Sequence, residues 1–292
     1  MRIDALRQAL HATGAKDCHV DRVLRAWTQA KALDSGPRHQ PAADFLPLGL
    51  RHALPTLAAQ LAGLARIRSE HAGEDGSRLL VELADGQLVE SVLLPRDGPC
   101  ISTQVGCAVG CTFCMTGRDG LLRQLTSAEI LAQVVLARAR RPVKKVVFMG
   151  MGEPAHNMEA VLETIQLLGD EGGIGHKNLV FSTVGDHRVF ERLPGLRVKP
   201  ALALSLHTSQ PGKVVVLNVG ISQIHFGIYD TEESGADVHG IVDHADQQVT
   251  RISVMVGPQQ KTMEHAPFKL SDLFKVMQEA TQLLGRDRKS VV

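Results

Sequence analysis

Cys107-Ala-Val-Gly-Cys111-Thr-Phe-Cys114 organises the reading of the whole chain, because three cysteines spaced x3 and x2 can turn their sulfurs toward one point in a single loop. A tetrahedral zinc site wants a fourth Cys or His nearby, and a disulfide wants an even partner. No fourth ligand follows at such a spacing. Three thiolates are what a 4Fe-4S cluster needs if one iron is to stay open to a non-protein ligand. The alternative is a set of buried thiols without metal, but Gly106, Gly110 and Gly117 mark a tight loop and not a core strand.

Downstream of this loop, Thr126-Ser-Ala-Glu129 is a capping box that predicts a helix with Ile130, Leu131, Val134 and Val135 as its buried stripe, closed by Pro142. Lys145-Val-Val-Phe-Met-Gly150 is a short continuous apolar run, the mark of a strand buried on both faces. It ends in Met-Gly152-Glu153-Pro154 and leads into a helix with Met158, Val161, Leu162, Ile165 and Leu168 inward. Two further strand ends follow, at Leu179-Val-Phe-Ser182 and at Pro200 to Ser205-Leu206-His207. Strand, polar strand end and helix in repetition predict an α/β fold, a partial parallel (β/α) barrel with its site at the C-terminal strand ends.

Upstream, residues 1–34 predict two helices, with Ile3, Leu6 and Leu10 on one face and Val20, Val23, Leu24 and Trp27 on the next. Gly14 separates them and Asp34-Ser-Gly-Pro37 ends the second, while Cys18 near the turn reads as an ordinary thiol. The stretch from Asp44 to Leu61 predicts a further helical element, and this helical unit is too small to hold a large core alone, so it must dock on the remainder of the chain. From Leu64 to Leu94 the pattern becomes strands, broken at Gly73-Glu-Asp-Gly76 and Ala84-Asp-Gly86. In the last strand Leu88, Glu90, Val92 and Leu94 share one face. The pattern alone leaves open whether Glu90 stands on a wet edge or in apolar surroundings, where its pKa would rise. The expected division is a helical accessory domain at 1–62, a strand extension at 63–95, a core at 96–208 and a distinct region at 209–292.

Apolar content of 44% is ordinary for a globular protein, and no run of eighteen apolar residues offers a membrane span. The start Met1-Arg-Ile-Asp-Ala lacks a secretory core, and four of five cysteines fall within fifteen residues, so a cytoplasmic protein with metal or redox chemistry is expected. A net charge of +1 makes no global case for nucleic acid, so any RNA contact must be local. Arg22 with Arg25, Arg66 with Arg68, and the run Arg138, Arg140, Arg141, Lys144 and Lys145 are the candidates. Each group taken singly also fits a solvated surface.

The three cysteines, with an aromatic residue before the last, resemble the cluster loop of radical S-adenosylmethionine (SAM) enzymes. The wider run Cys100-Ile-Ser-Thr-Gln-Val-Gly-Cys107 resembles the RNA adenine-C2 methyltransferases of the RlmN/Cfr type, in which a further cysteine precedes the first cluster ligand by seven residues. Cys100 holds that place, and the resemblance runs from Phe45 to Thr208. It implies a 4Fe-4S cluster on Cys107, Cys111 and Cys114, and SAM held by Gly152, Glu153, Ser182, Ser205, Leu206 and His207. It also implies that SAM first methylates a C-terminal cysteine, and that a second SAM on the open iron then yields the radical that moves this carbon to C2 of an adenosine in 23S rRNA or tRNA. Cys100 would resolve the protein–RNA adduct and Glu90 would accept a proton. The resemblance further implies an electron donor such as flavodoxin, and a monomer.

Beyond Thr208 the family pattern is not followed. The family expects an Asn on a later strand and a methyl-carrying Cys near the C-terminus, whereas no cysteine follows Cys114 and Asn218 has dissimilar neighbours. The run Val214–Val219, a strand pattern at Val249–Val256 and an amphipathic pattern on Leu270, Leu273, Phe274, Met277 and Leu284 still predict a foldable chain. Two other readings stand beside the methyltransferase: a noncatalytic iron-sulfur protein that binds RNA or the ribosome, and a radical SAM enzyme of another reaction type. Cys100 and Glu90 together argue against the latter.

Overall fold

The computed structural model describes residues 1–36, 40–73, 76–96, 98–111 and 114–207, and beyond these the strands 213–219, 223–230, 236–245, 248–256, 259–263 and 268–269. It divides into two compact units, Met1–Phe181 with Leu196–Pro200, and Ser182–Gly195 with the chain from Ala201 on.

In the first unit, α1 (Ile3–Ala12) and α2 (Asp17–Thr28) bury the apolar faces read from the sequence, and Cys18 lies exposed in the first turn of α2. A single 3-10 turn at Ala42–Asp44 precedes α3 (Leu48–Ala62), which buries Leu50, Leu54, Leu57 and Leu61 although Pro55 lies inside it. The strands β1 (Ala65–Gly73), β2 (Gly76–Leu83), β3 (Leu88–Leu94) and β4 (Gly98–Ile101) form an antiparallel meander. The small hairpin β5 (Gln104–Gly106) and β6 (Leu121–Gln124) then carries the cysteine loop between its strands. Next come α4 (Ser127–Arg138), β7 (Val146–Phe148), α5 (Met158–Asp170) and β8 (Leu179–Thr183). β4, β7 and β8 pair in parallel, so the chain turns at β4 from meander to βαβ construction.

The capping box forms as read, with Glu129 N donating to Thr126 Oγ1 at 3.3 Å and Thr126 N donating to Glu129 Oε2 at 2.8 Å. α4 is nevertheless no amphipathic stripe. Ser127 to Val134 are all buried, while Val135 is only half-buried, because the helix is enclosed between the sheet, α5 and the N-terminal helices.

The helical segment docks on this core through polar anchors. Ile3 N donates to Ser127 Oγ at 2.9 Å and Asp4 N to Glu163 Oε1 at 2.6 Å. Arg138 donates to Thr28 O at 2.6 Å and to Gly172 O at 2.7 Å. One guanidinium thereby satisfies terminal carbonyls at the C-terminal ends of α2 and α5, where orphan acceptors and the negative helix-dipole ends coincide. The Arg25–Glu171 ion pair at 2.8 Å joins the same two helix ends.

In β3 the packing decides which face is dry. Val89, Ser91 and Leu93 face the core, and the face shared by Leu88, Glu90, Val92 and Leu94 is the wetter one. The Glu90 side chain is 44% exposed and sits 3.4 Å from Arg78 Nη1, so its surroundings are polar and not apolar.

In the second unit, Ser182 and Thr183 finish β8, α6 (His187–Arg192) follows, and β9 (Ala201–His207) begins an antiparallel run. It continues through β10 (Lys213–Val219), β11 (Gln223–Asp230), β12 (Ala236–Ala245), β13 (Gln248–Val256) and β14 (Gln259–Met263), with β15 (Phe268–Lys269) against β13. The runs Val214–Val219 and Val249–Val256 are thus strands in a meander, unlike the βα alternation of the first unit. The amphipathic pattern on residues 270–284 lies outside the described residues.

Candidate active site

The cysteine loop is pinched at its base. Cys107 N donates to Gly120 O at 3.0 Å, and Gly106, with φ +76°, lies so close to Gly120 O that no side chain fits there. Cys114 N donates to Cys111 O at 3.0 Å and opens a 3-10 turn at Met115–Gly117. Cys107 is buried, and Cys111 and Cys114 are half-buried. Burial raises the Cys111 thiol above its ordinary pKa, and the negative charges of Cys114, Cys107 and Glu153 push it further the same way. Thiolates crowded with a carboxylate in this way fit a cationic occupant, and three soft sulfurs without a fourth ligand fit a cluster with one open iron. Among the described residues, no three His, Cys, Asp or Glu side chains are close enough to hold an ion.

Gly152 and Glu153 follow β7. Glu153 is buried, its Oε1 accepts from Ala155 N at 3.0 Å to start the 3-10 turn Pro154–Asn157, and its own N–H donates to Gln104 Oε1 at 2.7 Å. Its negative charge is the smallest of the influences that raise the Cys111 thiol.

Sheet register brings Cys100 and Glu90 to one face. Val92 pairs with Cys100, and Cys100 pairs with Val147, so these side chains form a row across β3, β4 and β7. Glu90 stands two residues before Val92 and is diagonal to Cys100, a relation that places Cα atoms about 7–8 Å apart. Cys100 is 7% exposed, and burial pushes its pKa up to about 11, partly offset by the Met149 backbone N–H. It is a protonated thiol at neutral pH.

A polar network that sequence reading missed supports this face. Gln133 Oε1 accepts from Ser91 Oγ at 2.8 Å and from Ser102 N at 2.9 Å, while Gln133 Nε2 donates to Ser102 O at 2.9 Å. Ser102 Oγ donates to Glu90 O at 2.5 Å and accepts from Met151 N at 2.8 Å. The available signal was the polar run Ser102-Thr-Gln104 at a strand end, all of it buried.

Of the other predicted residues, Ser182 is buried at the end of β8 and Ser205 is half-buried in β9, both in the second unit. Leu206 and His207 lie in β9 opposite Val215 and Val214. Several of the proposed RNA-contacting cations have partners within the first unit. Arg25 pairs with Glu171, Arg66 and Arg68 both pair with Glu82, Arg140 pairs with Glu70, and Arg22 lies 4.7 Å over the Phe45 ring. Among the described residues, no helix is long and apolar enough to cross a membrane.

Comparison with known proteins fits this geometry. Residues 101–222 match the Radical SAM superfamily. A protein of Dechloromonas aromatica named probable RNA methyltransferase is 73% identical over 211 residues, covering 72% of this chain and 59% of that protein. Similarly named proteins of Aromatoleum aromaticum and Pseudomonas aeruginosa are 75% and 70% identical, covering 72% of this chain and 59% and 61% of theirs. The chain thus spans about three fifths of the length of these curated relatives. The crystal structure of a radical SAM methyltransferase from Sphaerobacter thermophilus superposes with a TM-score of 0.55 at 31% identity, covering 71% of this chain and 62% of that one. Residues 101–222 are thus similar to the Radical SAM superfamily, in a chain similar in sequence to probable RNA methyltransferases.

Proposed function

We propose that this chain is a radical SAM methyltransferase that acts on C2 of an adenosine in RNA, 23S rRNA or tRNA. The observation that carries the reading is the common sheet face of Cys100 and Glu90 in the row that leads to the Gly152–Glu153 turn. Another radical SAM reaction has no evident use for a buried thiol and a carboxylate in that relation. Cys107, Cys111 and Cys114 would hold the 4Fe-4S cluster, with SAM against Gly152 and Glu153. When bound, this pair supplies one-electron cleavage of SAM, with the electron from a donor such as flavodoxin.

The chain's own residues then handle protons and position. Arg78 Nη1 lies 3.4 Å from Glu90 Oε1, in position to orient the carboxylate that would accept a proton. Cys100 keeps its proton until a base removes it, which guards the thiolate from side reactions before RNA is in place. No cysteine follows Cys114, so the thiol that would carry the methyl group is not supplied by residues 115–292. The second reading is an iron-sulfur RNA-binding protein without methyl transfer. A cytoplasmic monomer suits either.

Anaerobically reconstituted chain incubated with rRNA or tRNA, reductant and isotope-labelled SAM should yield 2-methyladenosine and 5'-deoxyadenosine by mass spectrometry. RNA binding with neither product would refute the methyltransferase reading in favour of the second. 5'-Deoxyadenosine without methylated RNA would point to another radical SAM reaction.

A further inference from the structure

Gln104 links the two loops on which the proposed site depends. Its side chain is 0% exposed in β5, three residues before Cys107. Its Oε1 accepts the Glu153 N–H at 2.7 Å, and its Nε2 donates to Gln124 Oε1 at 2.9 Å across the hairpin. Gln124 Nε2 in turn donates to His156 O at 3.0 Å, beyond Glu153 in the same 3-10 turn. Asn157 completes the stitching with bonds to Thr103 O at 2.8 Å and Leu125 O at 2.7 Å, one on each arm of the hairpin. Gly152 lies directly on the Gln104 side chain. With φ +99° there, a Cβ would come within 2.5 Å of Gln104 Cβ and 2.7 Å of its Oε1.

We infer that Gln104 is a positioning residue that sets the separation between the cysteine loop and the Gly152–Glu153 turn, and hence between the open iron and the groups that hold the SAM amino end. The inference rests on the reading of Cys107, Cys111 and Cys114 as cluster ligands and of Gly152–Glu153 as a SAM contact. The physical reason is that SAM would have to meet both loops at once. A ligand held at two points binds well only when the separation between them is preset, since any adjustment is subtracted from its affinity. An aliphatic side chain would fill the same space but provide no acceptor for the buried Glu153 N–H, and the turn would relax away from β5 to find one. Gln104 need not touch SAM for this.

The test uses the full chain, reconstituted anaerobically, with Gln104→Leu as the first variant. Gln104→Asn is the second; it keeps the amide but falls one methylene short and is the milder change should the leucine variant fold poorly. Iron and sulfide content are measured first. The electron paramagnetic resonance spectrum of the reduced cluster is then titrated with SAM. The expected result is unchanged iron content, with the SAM concentration for half the spectral change raised about tenfold, as loss of one buried hydrogen bond would give. A purely structural role would lower iron content and unfolding temperature while leaving the SAM titration of the loaded fraction in place. That result, or a titration unchanged in both variants, overturns the inference. A wild-type spectrum indifferent to SAM refutes the SAM-site reading and the inference with it, whereas a responsive wild type with equally responsive variants refutes the inference alone.

Discussion

Replacing Gln133 by leucine should destabilise the first unit heavily although no charge or large side chain is lost. Gln133 is 1% exposed in α4 and satisfies three groups in a dry interior: the Ser91 hydroxyl and both backbone groups of Ser102. Each buried group left without a partner costs about 1–3 kcal/mol. Added apolar burial at the isosteric leucine returns about 1–2 kcal/mol. Over three groups the loss is about 3–9 kcal/mol, so the net cost is about 1–8 kcal/mol, a sizeable share of the ~5–15 kcal/mol of a typical domain, and lowers Tm by about 2–4 °C for each kcal/mol lost. Urea unfolding followed by circular dichroism measures it. Because the hydroxyl and the amide stabilise each other, Ser91→Ala should cost about 1 kcal/mol less in the Gln133→Leu background than in the wild type. A single-variant loss below about 1 kcal/mol, or strict additivity of the two substitutions, would refute the reasoning.

Further outcomes rest on the same geometry. Burial holds the Cys100 thiol at about 11, above its unfolded value, so its contribution is constant below the unfolded pKa and is lost as pH rises through the folded one. The urea midpoint should fall more steeply between pH 8.5 and 11 in the wild type than in Cys100→Ala, by the equivalent of about 2–3 kcal/mol, and parallel curves would contradict this. Arg123 bonds Glu129 at 2.8 Å and Asp85 at 2.7 Å. Arg123→Met should cost about 1–3 kcal/mol because the buried Glu129 loses its counter-charge, whereas Asp85→Asn, which removes a more exposed partner, should cost less than about 1 kcal/mol; equal shifts in urea midpoint would be the wrong outcome. Thr126→Ala removes the N-cap oxygen of α4 and should cost about 1 kcal/mol by the same measurement, with Thr126→Ser near wild type.

The residues show where sequence reading suffices and where it fails. Helices α1, α2 and α5, the Asp85–Gly86 turn and the capping box are written in patterns only a few residues long. Periodicity and capping are local, so one sequence states them completely. The buried strand β7 was equally legible, because a continuous apolar run has no wet face to choose.

The cysteine spacing singles out a candidate site from the sequence alone, since three thiols in a glycine-rich loop suggest their chemistry before any fold is known. What the tertiary structure alone decided is which face of β3 is dry, and thus that Glu90 stands beside Arg78 and not among aliphatic side chains. Alternation divides a strand into two faces, but only the layer packed against it determines which is buried. It also decided that Gln104 meets Glu153 and that Gln133 meets Ser91 and Ser102, contacts spanning 49, 42 and 31 residues. A buried amide looks the same in sequence as an exposed one, since its partners are brought to it by the fold and not by the chain beside it.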